Sequence, residues 1–530
     1  MSASLMDFSQ PKGAYTANLL SSLRMNLARD PDLPALIHPG GQFTWAEMWQ
    51  RTNRLGNALL DLGLQKGDRL ALYLLGNRFE FNEAFVAGIK TGVVRTPVNF
   101  NLKEHELAYQ LNNCAAKAIL TSPELLPLVQ AVRAQVPSLA HVIVTGGDSP
   151  DVLDYEALLA GASADEIAAG VQPGDVDMIL YTSGTTGNPK GAVRGFAEDY
   201  HTGITVCVDW GVRSGDRQLV VAPQYHAGPC AWYLATLVSG GTLVIVPRFD
   251  PELVLTAIQE HQVNWLMMVP VMSDRLLSLP GEVLDRFDLG SIRLLISGGA
   301  PLHTPTKLRI KRFFEHAELN EFYGSTELGV STTLRDVDQL RKERCVGKPL
   351  QDVELKLVDP QGQPVPRGEV GALYSRGLCG FRGYWDDEPG TREAFLDHDW
   401  ATVGDLARQD PEGYYYIVDR AKDMIITGGV NVYPAEIEGA ILGLAGVADV
   451  AVIGVPDEQW GEAVKAVVVP RPGAELGEAE VIAFCKAHLA KFKVPKSVDL
   501  VAAIPRNPSG KILKKDLRRP YWENQAAQVC

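Results

Sequence analysis

The chain has 530 residues, of which 46% are hydrophobic and 22% charged, and carries a net charge of −14. This balance excludes a disordered, collagen-like or coiled-coil protein, and the acidic surplus argues against the broad basic face that binds a nucleic-acid backbone. The seven cysteines never fall at C-x-x-C spacing, which argues against a zinc site or a dense disulfide framework and fits a reducing cytoplasm.

No signal peptide is apparent at the N-terminus. No apolar run reaches the roughly 18 residues of a membrane span. At about 150 residues per domain, the length suggests three or four compact units.

The first elements alternate helix and strand. Thr44 and Glu47 form a T-x-x-E capping box, followed by Met48, Leu55, Ala58, Leu59 and Leu62 at helical spacing. Gly63 and Gly67 end that helix, and Leu70 to Leu75 is an apolar run of strand length. Similar runs follow at 118–120, 141–144, 178–181, 218–222, 242–247, 265–269 and 292–297, with helical segments between most of them. This alternation predicts an α/β protein with largely parallel sheets.

Beyond about residue 345 the segments shorten, and turn residues such as Asp359-Pro360, Gly362 and Pro366-Arg367-Gly368 crowd in. That stretch reads as a β-rich subdomain of about 345–419, closing an N-terminal domain of 1–419. Residues 420–530 return to alternating β and α and read as a separate, small α+β domain.

The strongest local signal is YTSGTTGNPKGA at 181–192, directly after a strand-like run. Glycines let the backbone approach a ligand closely. The hydroxyls of Thr182, Ser183, Thr185 and Thr186 suit phosphate oxygens, as do free N–H groups, and Lys190 adds a cation. Gly184 and Gly187 complete the pattern. Pro189 before Lys190 and Gly191 after it break the Walker A spacing, so a P-loop kinase or ATPase is disfavoured. Read blandly, this is a polar surface turn.

This loop resembles the signature of the adenylate-forming enzymes: acyl-CoA synthetases, peptide-synthetase adenylation domains and beetle luciferases. The resemblance continues in order along nearly the whole chain. It takes in YGSTE at 323–327, Asp405 in ATVGDLA, DRAKDMIITGGVNVYPAEIE at 419–438, and PRNPSGKILKKDLR at 505–518.

The resemblance implies that a carboxylate attacks the α-phosphorus of ATP, releasing pyrophosphate, and that the acyl group then passes to coenzyme A. Lys511 is the implied catalytic lysine, bridging carboxylate and α-phosphate; by sequence alone it is one cation of a basic tail. Glu327, with Thr186, would hold Mg²⁺; Glu327 reads otherwise as the start of a helix at Ser325 to Leu328. Tyr323 would stack on adenine, with Gly299, Ala300, Gly324 and Thr326 also at the nucleotide. Asp405 would take the ribose hydroxyls, and Arg420 would contact the nucleotide. The C-terminal domain is implied to be mobile. Lys422 sits where the family hinges, and Gly428-Gly429 would come to the site for thioester formation.

The stretch PQYHAGPCAWYL at 223–234 resembles the family's aromatic motif at the acyl pocket. His226 is implied there as gate or lining, otherwise a satisfied core histidine, together with Gly228, Trp232, Gly298, Gly324 and Val330. Gly298, Gly299 and Gly324 suggest room for a long or bulky acyl group, whereas Trp232 as a cap on the pocket would favour a shorter or aromatic acid. Tyr225-His226-Ala227 stands where amino-acid-activating relatives usually carry an aspartate, so a substrate with an α-ammonium is disfavoured. The acid itself stays open among fatty, aryl and cyclic types.

The expected partners are therefore ATP, Mg²⁺, coenzyme A and a small carboxylic acid, with no nucleic acid; a homodimer is allowed. One alternative is an acyl-AMP ligase that loads a carrier protein, though no carrier domain follows Lys511. Another is a non-catalytic binder of acyl or nucleotide ligands.

Overall fold

The computed structural model describes residues 18–147, 151–182, 188–506 and 512–523. The chain divides into two compact units. One comprises 1–98, 111–180 and 193–295; the other comprises 99–110, 181–192 and 296–530.

The first unit is built as the apolar runs predict. One sheet places the strands Val176–Thr182, Val94–Pro97, Arg69–Tyr73, Ala118–Thr121, His141–Val144 and Leu153–Asp154 side by side, and the pairs among them are parallel. A second sheet orders Trp265–Met268, Arg217–Val220, Thr242–Ile245, Pro34–His38 and Gly41–Thr44. The pairs among these strands are parallel except for the hairpin of Pro34–His38 with Gly41–Thr44. Parallel strands need covering on both faces, which explains their continuous hydrophobic character.

The helix Trp45–Asp61 starts at the predicted box: Thr44 Oγ1 accepts from Glu47 N at 3.2 Å, and Glu47 Oε2 accepts from Thr44 N at 2.8 Å. The interior holds charges that are paired. Arg95 meets Asp177, and Arg194 Nε donates to Asp199 at 2.5 Å. A buried charge left alone would cost several kcal/mol.

The second unit is antiparallel in its middle. Val353–Val358, Val370–Gly377, Asp405–Gln409 and Tyr415–Arg420 pair in that order. Its last part carries another sheet, with the long hairpin Val447–Asp457 and Gly461–Pro470 at its centre. The hairpin Ile425–Thr427/Val430–Val432 and the parallel strand Ser497–Leu500 both pair with Gly461–Pro470. The helices Pro434–Ile441 and Glu478–His488 contribute Ile437, Ile441, Val481 and Cys485 to its core. Among the described residues no helix is long and apolar enough to cross a membrane.

Candidate active site

The YGSTE segment forms the tip of an antiparallel hairpin, Glu318–Ser325 with Gly329–Leu334. Residues 326–328 make the turn. Leu328 N donates to Ser325 Oγ at 3.0 Å, and Gly329 takes φ +67° with its Cα facing the Cys379 carbonyl. The expected alternative for Glu327, a helix start, is therefore not what forms; the positive φ two residues later closes a turn instead.

The turn buries Glu327, whose Oε1 accepts from the Tyr384 hydroxyl at 3.0 Å. Burial and then the Glu327 charge push the Tyr384 phenol well above its usual range, so it stays a donor. A carboxylate held this way offers the hard oxygen that Mg²⁺ takes, so Glu327 fits the expected metal. Thr186, the second expected contact, lies outside the described residues. Thr326 is half-buried in the same turn.

Asp405 opens the strand Asp405–Gln409 and is buried. Its Oδ2 accepts from the Tyr323 hydroxyl at 2.6 Å, and its Oδ1 faces Arg420 Nε at 3.2 Å. These contacts occupy two of about four acceptor positions on the carboxylate, leaving two for a vicinal diol. Burial and the adjacent carboxylate push the Tyr323 phenol far up, so it too remains protonated. Tyr323 thus has a hydrogen-bonding task besides the stacking expected of its ring.

Lys190 begins the strand Lys190–Gly195. Its Nζ lies 2.8 Å from Asp387 Oδ2 and 4.9 Å from the centre of the Tyr384 ring. Thr182 Oγ1 approaches the Lys190 carbonyl at 3.4 Å. Ser183, Gly184, Thr185, Thr186 and Gly187 lie outside the described residues.

The glycines expected to leave acyl space are instead set by close packing. A Cβ on Gly298 would overlap the Phe322 ring, and one on Gly324 would overlap the backbone of Gly329 across the hairpin. The argument for a bulky substrate from spare volume at these two positions therefore fails. Gly299 adopts φ +78° and adjoins exposed Ala300. Val330 is buried opposite Gly324.

His226, Gly228 and Trp232 belong to the first unit, around the start of the helix Ala227–Ser239. The His226 ring sits 4.3 Å from that of Tyr225. Trp232 is buried, with its ring centre 5.2 Å from that of Trp210, and a Cβ on Gly228 would lie 3.5 Å from its Nε1.

At the expected hinge, Lys422 lies in the single 3-10 turn Ala421–Asp423. The guanidinium of Arg518, on the helix Lys514–Trp522, donates to the carbonyls of Lys422 and Asp423, each at 3.0 Å. Gly428 and Gly429 form a two-residue hairpin turn at φ +58° and +77°, conformations that favour glycine. A Cβ on Gly428 would lie 2.6 Å from the Trp460 ring. Lys511 lies outside the described residues. Other cations of that basic tail have partners: Lys514 meets Glu438 at 2.8 Å, and Arg519 faces Asp516 and Glu523.

Sequence reasoning missed Tyr384 and Asp387, the partners of Glu327 and Lys190. Gly383-Tyr384-Trp385 carries no periodic signal, and Asp387 reads as a plain cap for the short helix Glu388–Ala394, which it is.

A family model described as AMP-binding enzyme matches residues 23–385, and one described as AMP-binding enzyme C-terminal domain matches 436–511. The chain is 36% identical over 493 residues to a feruloyl-CoA synthase of an Amycolatopsis species, covering 93% of this chain and 96% of that one. It is 36% identical over 503 residues to the long-chain-fatty-acid–CoA ligase FadD13 of Mycobacterium tuberculosis, covering 94% and 97%. The crystal structure of ATP-bound MatB from Rhodopseudomonas palustris superposes with a TM-score of 0.86 at 34% identity, covering 95% and 99%. With both family models matched in order and relatives aligned over almost their full length, this chain belongs to the AMP-binding enzyme family.

Proposed function

We propose that this chain is an AMP-forming carboxylate–CoA ligase acting through the residues assembled around Glu327 and Asp405. A carboxylate oxygen attacks the α-phosphorus of ATP, the bond to pyrophosphate breaks, and acyl-AMP forms. The thiol of coenzyme A then attacks the acyl carbon, and AMP leaves. The acid belongs to the fatty, aryl or cyclic range, in line with the ferulate and long-chain fatty acid named for its relatives.

The observation that carries this reading is the Tyr323–Asp405–Arg420 group, a buried carboxylate oriented from both sides with acceptor capacity to spare. It suits a ribose diol. Two anions must meet in the first step, so neutralising charge is the main task of the site. Lys190 contributes by holding the outer phosphates. Lys511 contributes by bridging the carboxylate and the α-phosphate. Glu327 holds Mg²⁺, which when bound supplies further charge neutralisation at the triphosphate. Residues 420–530 act as the mobile domain, turning about Lys422 between the two steps.

The test is pyrophosphate release with ATP and Mg²⁺ across short, medium and long fatty acids, benzoates, cinnamates and sterol acids, with and without coenzyme A. Turnover that needs coenzyme A on one class of acid is the expected result. Adenylate formation that coenzyme A never accelerates would mean a carrier-protein acceptor, and inactivity on every acid would mean a binder.

A further inference from the structure

Lys190 is expected to meet phosphate, yet its ammonium already has an anion. Asp387 Oδ2 lies 2.8 Å from Nζ, and the face of Tyr384 lies on the same cation. Asp387 is itself held in place. Its Oδ1 accepts from Gly390 N at 2.8 Å and caps the helix Glu388–Ala394. Gly390 carries no side chain where one would overlap both Asp387 Oδ2 and Lys190 Nζ. Both partners keep about a third of their side-chain surface open, 30% and 31%, so a ligand can reach the pair. The Lys190 ammonium, and then the Gly390 N–H, hold the Asp387 carboxyl below its usual range, so it is ionised at working pH.

We propose that Asp387 is a built-in competitor of the ATP polyphosphate for Lys190. Resting on the reading of Lys190 as a phosphate contact, it makes Asp387 a positioning residue that acts through that lysine. The carboxylate keeps the ammonium oriented before ATP arrives, yields it to the triphosphate, and recaptures it as pyrophosphate leaves. A partly exposed pair of this kind is favoured about fivefold over its open form, equivalent to about 1 kcal/mol. Because only the open form meets phosphate, the apparent Kd for ATP is raised about sixfold above its intrinsic value.

The test is calorimetric binding of ATP with Mg²⁺, and inhibition by pyrophosphate, for the wild type, Asp387→Asn, Lys190→Gln and the double variant. Asparagine caps helices as well as aspartate does, so Asp387→Asn removes the charge and keeps the cap; Asp387→Ser, which also caps, serves as a second variant. The expected result is tighter ATP and tighter pyrophosphate binding in both Asp387 variants, by about sixfold, with no such gain when Lys190 is already Gln. A merely structural role would weaken binding or leave it unchanged. Lys190→Gln weaker than wild type, with Asp387→Asn no tighter, would overturn the inference and spare Lys190's role. Lys190→Gln binding ATP as the wild type does would overturn both.

Discussion

Replacing Tyr323 by Phe removes one oxygen and keeps the ring, so it separates the hydrogen bond to Asp405 from any stacking on adenine. The lost bond spans 2.6 Å to a carboxylate whose side chain is only 9% exposed. A hydrogen bond to a charged group contributes about 1.5–3 kcal/mol. Arg420 still faces the other oxygen at 3.2 Å and retains part of the compensation, so the lower end, about 1.5–2 kcal/mol, is the working figure. Tyr323→Phe should therefore lower unfolding free energy by about that amount in urea titration. Without one of its two restraints, Asp405 should also bind AMP about three- to tenfold more weakly by calorimetry, since tenfold corresponds to about 1.4 kcal/mol. Tyr323→Ala should cost more on both measures, because it also removes the ring. If Tyr323→Phe matches the wild type in both assays while Tyr323→Ala loses nucleotide binding, the ring alone matters and the orienting role of the hydroxyl is refuted.

Glu327→Gln keeps an acceptor for Tyr384 but loses the charge, so pyrophosphate release should need severalfold more Mg²⁺ for half-maximal rate; an unchanged Mg²⁺ titration would put the metal ligand elsewhere. Gly298→Ala forces a methyl group against the Phe322 ring and should cost about 1–3 kcal/mol in thermal or urea unfolding, with relief when Phe322→Leu is added; a neutral Gly298→Ala would show that the ring yields freely. Lys90 tests the buried interior. Its Nζ faces Trp49 O, Thr52 Oγ1 and Asn53 Oδ1, yet burial pushes the ammonium down to about 6. The unfolded lysine binds its proton up to about 10.4, so between these values the unfolded state holds more protons and stability should rise with pH. The slope should exceed that of Lys90→Met by up to about 1.4 kcal/mol per pH unit between pH 7 and 9, and equal slopes would mean that the three acceptors keep the amine charged.

What was legible in the sequence was local. Apolar runs such as Trp265–Met268 and His141–Val144 became strands because a parallel strand buried on both faces leaves no alternation to misread. Thr44 and Glu47 were legible because a capping box closes within one turn of chain. The alternative reading of a helix start at Ser325 failed where local and tertiary preferences diverge: the same Ser-Thr-Glu residues serve a hairpin turn once Gly329 takes a positive φ.

The chemistry of the site was legible as residue types but not as environments, because the environments come from partners distant in sequence. Glu327 and Tyr384 are 57 positions apart, and Tyr323 and Asp405 are 82. Nothing in either local stretch requires the other. The glycines show the same limit from the opposite side. A glycine in sequence is missing volume, and only the fold shows whether a ligand or a neighbouring side chain fills it. At Gly298 the Phe322 ring fills it, and at Gly390 the Lys190–Asp387 pair does. Acid specificity therefore cannot be read by counting glycines near the motif. It has to follow from side chains that meet the acyl group itself, which is why the carboxylate panel, rather than any single substitution, decides the substrate.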